Sequence, residues 1–109
     1  MKIKIDLRTP AQGNEALAEL GARLRFLRKE KGLTIPDLAG RMLISENTLR
    51  SLELGASGVS VGTLVNALYH LGELDSLARL APVDATLVRK SRKQSNAALK
   101  PVRDDERDF

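Results

Sequence analysis

The side chains best suited to chemistry lie together in the sequence MLISENTLRSLELG, which occupies residues 42–55. Among its apolar residues stand hydroxyl, carboxylate, amide and guanidinium groups, carried by Ser45, Glu46, Asn47, Thr48, Arg50 and Ser51. These groups donate and accept hydrogen bonds in several geometries. Leu49 and Leu52 recur at helical spacing, so the polar groups are expected on the outer face of a short helix. Such a face suits recognition of a polar partner.

The rest of the sequence offers no arrangement for catalysis or metal binding. The chain has no cysteine, which excludes disulfides and thiolate metal sites. His70 is the only histidine and lacks acidic neighbours at metal-ligand spacing, so a solvated surface position is predicted. Gly55, Gly58, Gly62 and Gly72 are interpreted as caps and turns rather than as a phosphate-binding loop. We expect no catalytic residues, no cofactor and no metal.

The composition predicts a single small domain with an aliphatic core. Of the 109 residues, 42% are hydrophobic but only 3% are aromatic. No run of 18 apolar residues is present, so no segment is predicted to span a membrane. The first ten residues alternate charged and apolar side chains without the apolar stretch of a signal peptide, and we therefore expect a cytoplasmic protein.

The net charge of +4 is mild, but the basic residues are unevenly distributed. They crowd into two segments, Arg23, Arg25, Arg28, Lys29 and Lys31 in the first and Arg89, Lys90, Arg92 and Lys93 in the second. Between residues 55 and 88 only Arg79 is basic. This distribution fits a polyanionic partner, although on charge alone a solvated charged face is the favoured interpretation.

Leucine spacing predicts a first helix over residues 15–31, because leucines recur every three or four residues along one stripe. Gly32 ends this helix. Thr34 opens the second helix, and with Asp37 three residues later it has the form of a capping box.

Three further helices follow in the same pattern of cap, apolar stripe and glycine. Ser45 caps the third helix and Gly55 ends it. Ser60 caps the fourth helix and Gly72 ends it. A short fifth helix is predicted over residues 74–80.

The two ends of the chain show different patterns. The sequence MKIKIDL, residues 1–7, alternates apolar and charged side chains, which indicates a strand. A lone strand needs a partner, and a second copy of the chain is the expected one. Residues 83–109 are rich in charged and small polar side chains and predict a tail, with a weak helix around Ala85 to Lys93.

The second and third helices are joined by only two or three residues, including Leu43 and Ile44. So short a link makes the two helices cross steeply. The crossing needs a small residue where the helices meet, and Ala39 is predicted there. The apolar anchors on the two sides are Leu38, Met42, Ile44, Leu49 and Leu52.

The sequence GLTIPDLAGRMLISENTLRSLELG resembles the helix-turn-helix of the lambda-repressor-like, or Cro/XRE, family. The segments RKEKGLT and LELG add to this resemblance, and GVSVGTLVNALYHLG is similar to the family's fourth helix. The resemblance covers residues 15–81. It implies an all-α, five-helix DNA-binding domain over residues 14–82, with an N-terminal β-like arm at 1–13 and a flexible charged tail at 83–109.

By this resemblance the third helix is a recognition helix that enters the major groove of double-stranded DNA. An Asn amide can bond adenine through two atoms, and a Glu carboxylate can accept from cytosine. The base-reading candidates are therefore Glu46, Asn47 and Ser51, with Thr48 near a thymine methyl. Ser45 is assigned to phosphate instead.

Phosphate contacts position such a protein without reading sequence. Arg50 is the main candidate for this role on the third helix. Arg23 and Arg25 on the first helix are weaker candidates.

The resemblance also implies a structural ion pair between Arg28 and Glu53 beneath the turn. Two positions depart from the family pattern. Ile35 stands where many members have a polar residue that bonds phosphate, so that side-chain contact is lost. Leu43 stands where many members have glycine, which predicts either a different turn or a strained leucine.

The function implied is that of a dimeric transcriptional repressor. One recognition helix reads few base pairs, so specificity requires two half-sites of a palindromic operator, about one helical turn or ~34 Å apart. The N-terminal arm would provide a contact across the two-fold axis of a homodimer. Such a protein would be associated with the nucleoid.

Within the family, residues 58–82 look like those of HipB-type antitoxins, which repress their own operon and bind a HipA-like kinase toxin. The first alternative is a phage or chromosomal repressor without a toxin partner. The second alternative is a protein-binding module that has kept the fold and lost DNA binding.

Overall fold

The computed structural model describes residues 7–98, and it describes side chains as far as residue 94. Five α-helices and one 3-10 helix lie in this range: α1 (Ala11–Glu30), α2 (Ile35–Met42), α3 (Glu46–Glu53), α4 (Val61–His70), the 3-10 helix (Leu74–Arg79) and α5 (Ala85–Ala98). Within residues 7–98 there is no strand, so the predicted all-α class is confirmed there. Residues 1–6, which make up most of the strand predicted at residues 1–7, lie outside the described residues.

The chain divides into two compact units, Met1–Ala78 and Arg79–Phe109. The first unit contains α1 to α4 and most of the 3-10 helix, which takes the place of the predicted fifth helix. The second unit contains α5, which extends five residues beyond the Lys93 end of the weak helix predicted there. None of the described side chains of α5 is buried.

The core of the first unit is aliphatic, as the composition predicts. Its buried apolar side chains are Leu24, Leu38, Ala39, Met42, Leu49, Leu52, Ala67, Leu68 and Leu71. Ala39 is only 2% exposed. Its small side chain allows α2 and α3 to approach closely at their crossing. Ile44 and Leu77 are partly buried and pack against this cluster.

Helix α1 begins at Ala11, four residues before the predicted start. Pro10 is its N-cap, and its carbonyl accepts a hydrogen bond from the Asn14 amide at 3.0 Å. The Asn14 side chain also donates to the Thr9 carbonyl at 3.2 Å. Gly13 obscured this first turn in the sequence, because glycine is unfavourable inside a helix.

The predicted capping box of α2 is confirmed. Thr34 Oγ1 accepts from the Asp37 amide at 3.2 Å, and Asp37 Oδ2 accepts from the Thr34 amide at 3.0 Å. The hydrogen bond from the Thr34 backbone amide to the Asp37 carboxylate, and after it one from the Thr34 side chain, hold the pKa of Asp37 below its ordinary value of 3.8. The carboxylate therefore stays charged at a helix N-terminus, where the helix dipole favours negative charge.

Helices α1 to α4 share one C-terminal motif, in which two backbone amides beyond the helix bond back to its last carbonyls. In α2 these bonds run from Ile44 to Ala39 at 3.1 Å and from Leu43 to Gly40 at 3.3 Å. The motif needs one residue with left-handed backbone. In α1, α3 and α4 that residue is a glycine, but in α2 it is Leu43, with φ 58° and ψ 42°.

Leu43 is 91% exposed, so its side chain gains no burial in return for the left-handed backbone. For L-residues this conformation costs about 1–2 kcal/mol. Of the two outcomes predicted for this position, the structure has the strained leucine, with left-handed backbone at Leu43.

Helices α1 and α3 touch through their backbones. A Cβ atom placed on Gly21 would lie 2.8 Å from the Leu52 carbonyl oxygen and closer still to the Glu53 carbonyl. A Cβ atom on Gly55 would lie 2.5 Å from the Ala18 amide nitrogen. Neither glycine can carry a side chain without displacing a helix, so the two glycines set the distance between α1 and the end of α3.

Candidate nucleic-acid interface

Helix α3 divides its residues cleanly between core and solvent. Leu49 and Leu52 are buried at 1% and 7% exposure. Glu46, Asn47 and Arg50 are exposed on the opposite side. The three-residue link after Met42 holds this polar side in place, because the core fixes both helices that flank it.

The remaining predicted site residues are less accessible or already engaged. Ser45 is the N-cap of α3: its Oγ accepts from the Thr48 amide at 3.0 Å and lies 2.8 Å from Thr48 Oγ1. Thr48 and Ser51 are half-buried. The Ser51 carbonyl accepts from the Ala56 amide in the C-terminal motif of α3.

Arg50 joins the exposed residues of α3 into one cluster. Its guanidinium donates to Glu46 Oε1 and to Asn47 Oδ1, each at 3.2 Å. The side chains of Arg50 and Glu46 are 45% and 47% exposed, so this ion pair is well solvated and weak. A ligand that offers a better acceptor to Arg50 therefore frees the Asn47 amide and the Glu46 carboxylate at little cost.

Arg28 and Glu53 form a buried ion pair that joins α1 to the end of α3. Arg28 Nε lies 2.7 Å from Glu53 Oε2, and Arg28 Nη2 lies 3.0 Å from Glu53 Oε1. The third nitrogen, Nη1, donates to the Leu33 carbonyl at 2.8 Å. The pair thus fixes both the helix junction and the loop before α2.

An open groove of about 780 Å³ lies between α1 and α3 and is bordered by the start of α2. Arg25 and Lys29 of α1 and Arg50 of α3 line it together. Arg25 and Arg50, predicted separately as phosphate contacts, therefore share one surface. Arg23 does not line this groove, and its Nη2 lies 3.8 Å from Glu19 Oε2.

Several residues of this region were not singled out from the sequence. Asn66 of α4 donates to the Met42 carbonyl at 2.9 Å and so holds the end of α2 just before the turn. Lys29 joins the basic side of the groove. Ile35, which the sequence did mark as a departure from the family pattern, packs against the core and lines the same groove.

The described part of the chain, residues 7–98, has neither a metal-binding cluster nor a membrane-spanning helix. No group of three or more His, Cys, Asp or Glu side chains there could hold a metal ion. No helix in that part is long and apolar enough to cross a membrane. His70 is half-buried, and its ring meets that of Tyr69 edge-on at 5.1 Å.

The chain matches the model of a known protein family. A family model described as a helix-turn-helix domain matches residues 19–90, about two thirds of the chain. The match begins inside α1 and ends inside α5. No curated protein and no solved structure matched the sequence.

Proposed function

Because this chain belongs to the helix-turn-helix domain family, of Cro/XRE-like type, we propose that it is a sequence-specific transcriptional repressor that binds double-stranded DNA. The observation that carries this proposal is the exposed polar face of α3. An α-helix is about 10–12 Å across and fits a major groove about 12 Å wide. Helix α3 offers such a groove Glu46 and Asn47 in its first turn, backed by a rigid core.

The roles within this face follow from chemistry and position. Asn47 can offer one donor and one acceptor together, which is the pattern of an adenine edge. Glu46 can accept from a cytosine amino group. Arg50 is assigned to a phosphate, together with Arg25 and Lys29 across the groove, because a phosphate oxygen can replace its present acceptors Glu46 and Asn47.

We propose that the protein binds as a homodimer. Helix α3 has eight residues and is about 12 Å long, so one copy spans only a few base pairs. Two copies related by a two-fold axis would read half-sites about 34 Å apart. The sequence of residues 1–7 supports an arm that pairs between copies, and deletion of these residues should weaken self-association in sedimentation experiments.

Repression is proposed to follow from occupancy, because a dimer bound over a promoter blocks access of polymerase. A footprint of the protein on the DNA upstream of its own gene tests this directly. We expect a protected palindrome, and insertion of five base pairs between its half-sites should abolish tight binding, because it turns one half-site to the opposite side of the DNA. A protein-binding module that has lost DNA binding would show no salt-dependent binding to any duplex.

Within this function we propose the finer assignment of an antitoxin that represses its own operon. It is supported by the similarity of residues 58–82 to HipB-type antitoxins. The test is co-purification of the protein with the product of an adjacent kinase-like gene. A repressor of phage or chromosomal type would have no such neighbour and would footprint its operator alone.

A further inference from the structure

On the premise that the protein binds DNA as proposed above, we infer that α5 is a second DNA contact, which binds the phosphate backbone through its basic residues without reading sequence. Helix α5 carries Arg89, Lys90, Arg92 and Lys93 and no acidic residue. All four side chains are exposed. Within the described residues, none of them forms a salt bridge.

The nearest carboxylate in the sequence does not offset this charge. Asp84 is the only acidic residue between positions 80 and 98. It precedes the helix, and its Oδ1 accepts from the Thr86 amide at 2.7 Å. Asp84 is therefore engaged at the N-terminus of α5, whereas the basic residues occupy the middle of the helix.

The charges of α5 work against the helix that carries them. Arg89 lies three and four residues before Arg92 and Lys93, and Lys90 lies three residues before Lys93. Like charges at these spacings are neighbours on a helix surface and destabilise it by about 0.2–0.5 kcal/mol per pair. None of the four lies in the last turn, where the helix dipole would favour a cation. The phosphates of a bound polyanion would attract these four side chains and offset the repulsion between them.

The basic residues do not serve the fold, because none of the described side chains of α5 is buried. Helix α1, by contrast, carries carboxylates as well as basic residues, and Arg23 pairs with Glu19. A helix of 14 residues is about 21 Å long, a length over which DNA presents phosphates on both strands. Because α5 is joined through the chain to the first unit, which contains α3, its contacts also raise the effective concentration of DNA at α3.

The experiment compares the full chain with a variant in which Arg89, Lys90, Arg92 and Lys93 are all replaced by glutamine, which has nearly the same helix propensity. Affinity for a random duplex and for the upstream duplex is measured at several salt concentrations. Each phosphate contact contributes about 0.9 to the slope of log affinity against log salt. We expect the slope for random duplex to fall by between about 2 and 3.6 per chain.

Two control variants keep the charge. Arg89→Lys with Arg92→Lys retains the positive charges, and Ser91→Ala with Gln94→Ala changes neutral positions of the same helix. Both should bind as the wild type does. A change in slope below about 1 for the glutamine variant overturns the inference. The inference is also overturned if the protein binds vesicles containing phosphatidylserine more tightly than DNA and this binding depends on α5. The basic residues would then bind a membrane surface.

The outcomes also separate this inference from the proposed function. If the slope falls as expected but the wild type shows no preference for upstream over random DNA, the reading role of α3 fails and the role of α5 stands. If the wild type clearly prefers upstream DNA and the glutamine variant has an unchanged slope, the DNA contact of α5 is wrong and the proposed function of α3 stands. If the wild type binds neither duplex, both are wrong.

Discussion

At the scale of single residues, the buried guanidinium of Arg28 has a hydrogen-bond partner for each of its nitrogens. Arg28 is 6% exposed, and the three nitrogens of its guanidinium bond Glu53 and the Leu33 carbonyl. Removal of one partner leaves a buried charge uncompensated. We expect Arg28→Ala to lower the free energy of unfolding by about 3 kcal/mol, measured by urea denaturation.

A double variant provides the control for this prediction. Arg28→Met with Glu53→Leu replaces both charges by apolar groups and should destabilise less than Arg28→Ala alone. A denaturation midpoint unchanged in Arg28→Ala would show that the pair contributes nothing to stability.

Asn47 and Arg50 lie on the same face of α3 but are expected to behave differently towards DNA. Asn47→Ala should cost about 1–3 kcal/mol on the operator and relax preference at one base position per half-site, while affinity for random DNA stays constant. Arg50→Ala should weaken binding to all sequences alike and lower the salt slope by about 1 per subunit. Titration of both variants against both duplexes measures these effects.

The hydrogen bond between Arg50 and Asn47 adds a second test. Because the two side chains share it at 3.2 Å in the free protein, their effects on operator affinity should not add in the double variant. Equal loss on operator and random DNA for Asn47→Ala would assign Asn47 to the DNA backbone and not to a base.

At the scale of elements, two helices offer matched caps. Ser45 and Ser60 each accept from the amide three residues on at 3.0 Å, and each has its Oγ within 2.9 Å of a threonine hydroxyl. Substitution of either serine by alanine should cost about 1 kcal/mol of stability. If Ser45 also binds phosphate, only Ser45→Ala should weaken DNA binding further, and thermal melting and titration together decide this.

The strained C-terminus of α2 makes an unusual prediction of increased stability. Leu43→Gly removes the left-handed strain and an exposed leucine, but it adds chain entropy to the unfolded state. We expect a net gain of about 0.5–1 kcal/mol in denaturation experiments. Leu43→Ala keeps the Cβ atom and should leave stability nearly unchanged, so a gain in both variants would contradict the explanation by strain.

Helix order, caps and most of the core could be predicted because they follow from local patterns. Thr34, Ser45 and Ser60 are of residue types that cap helix N-termini, and the leucine stripes indicate the buried faces of the helices. The bond from Asn66 to the Met42 carbonyl could not be predicted, because it depends on where α4 passes the end of α2. The role of Gly21 could not be predicted for a related reason. A glycine within a helical sequence does not reveal that the backbone of another helix lies against it.

At the scale of the whole molecule, the described core and the side chains packed against it lie entirely in the first unit, between Leu20 and Leu77. Deletion of residues 83–109 should therefore change the free energy of unfolding by less than about 0.5 kcal/mol. Leu77→Ala in the full chain is the contrasting variant, and it should destabilise by at least about 1 kcal/mol because Leu77 packs on the core. Denaturation of both proteins under the same conditions makes the comparison.

The backbone contact between α1 and α3 bears on how the DNA must behave. At Gly21 and Gly55 no side chain lies between the two helices that could repack, so backbone atoms restrict the angle of α3 at these two points. If α3 binds DNA at a fixed angle, it cannot adjust to the shape of the binding site. The DNA would then bend or twist to fit α3. Base pairs that no side chain touches would then influence affinity through their deformability, most of all between the two half-sites.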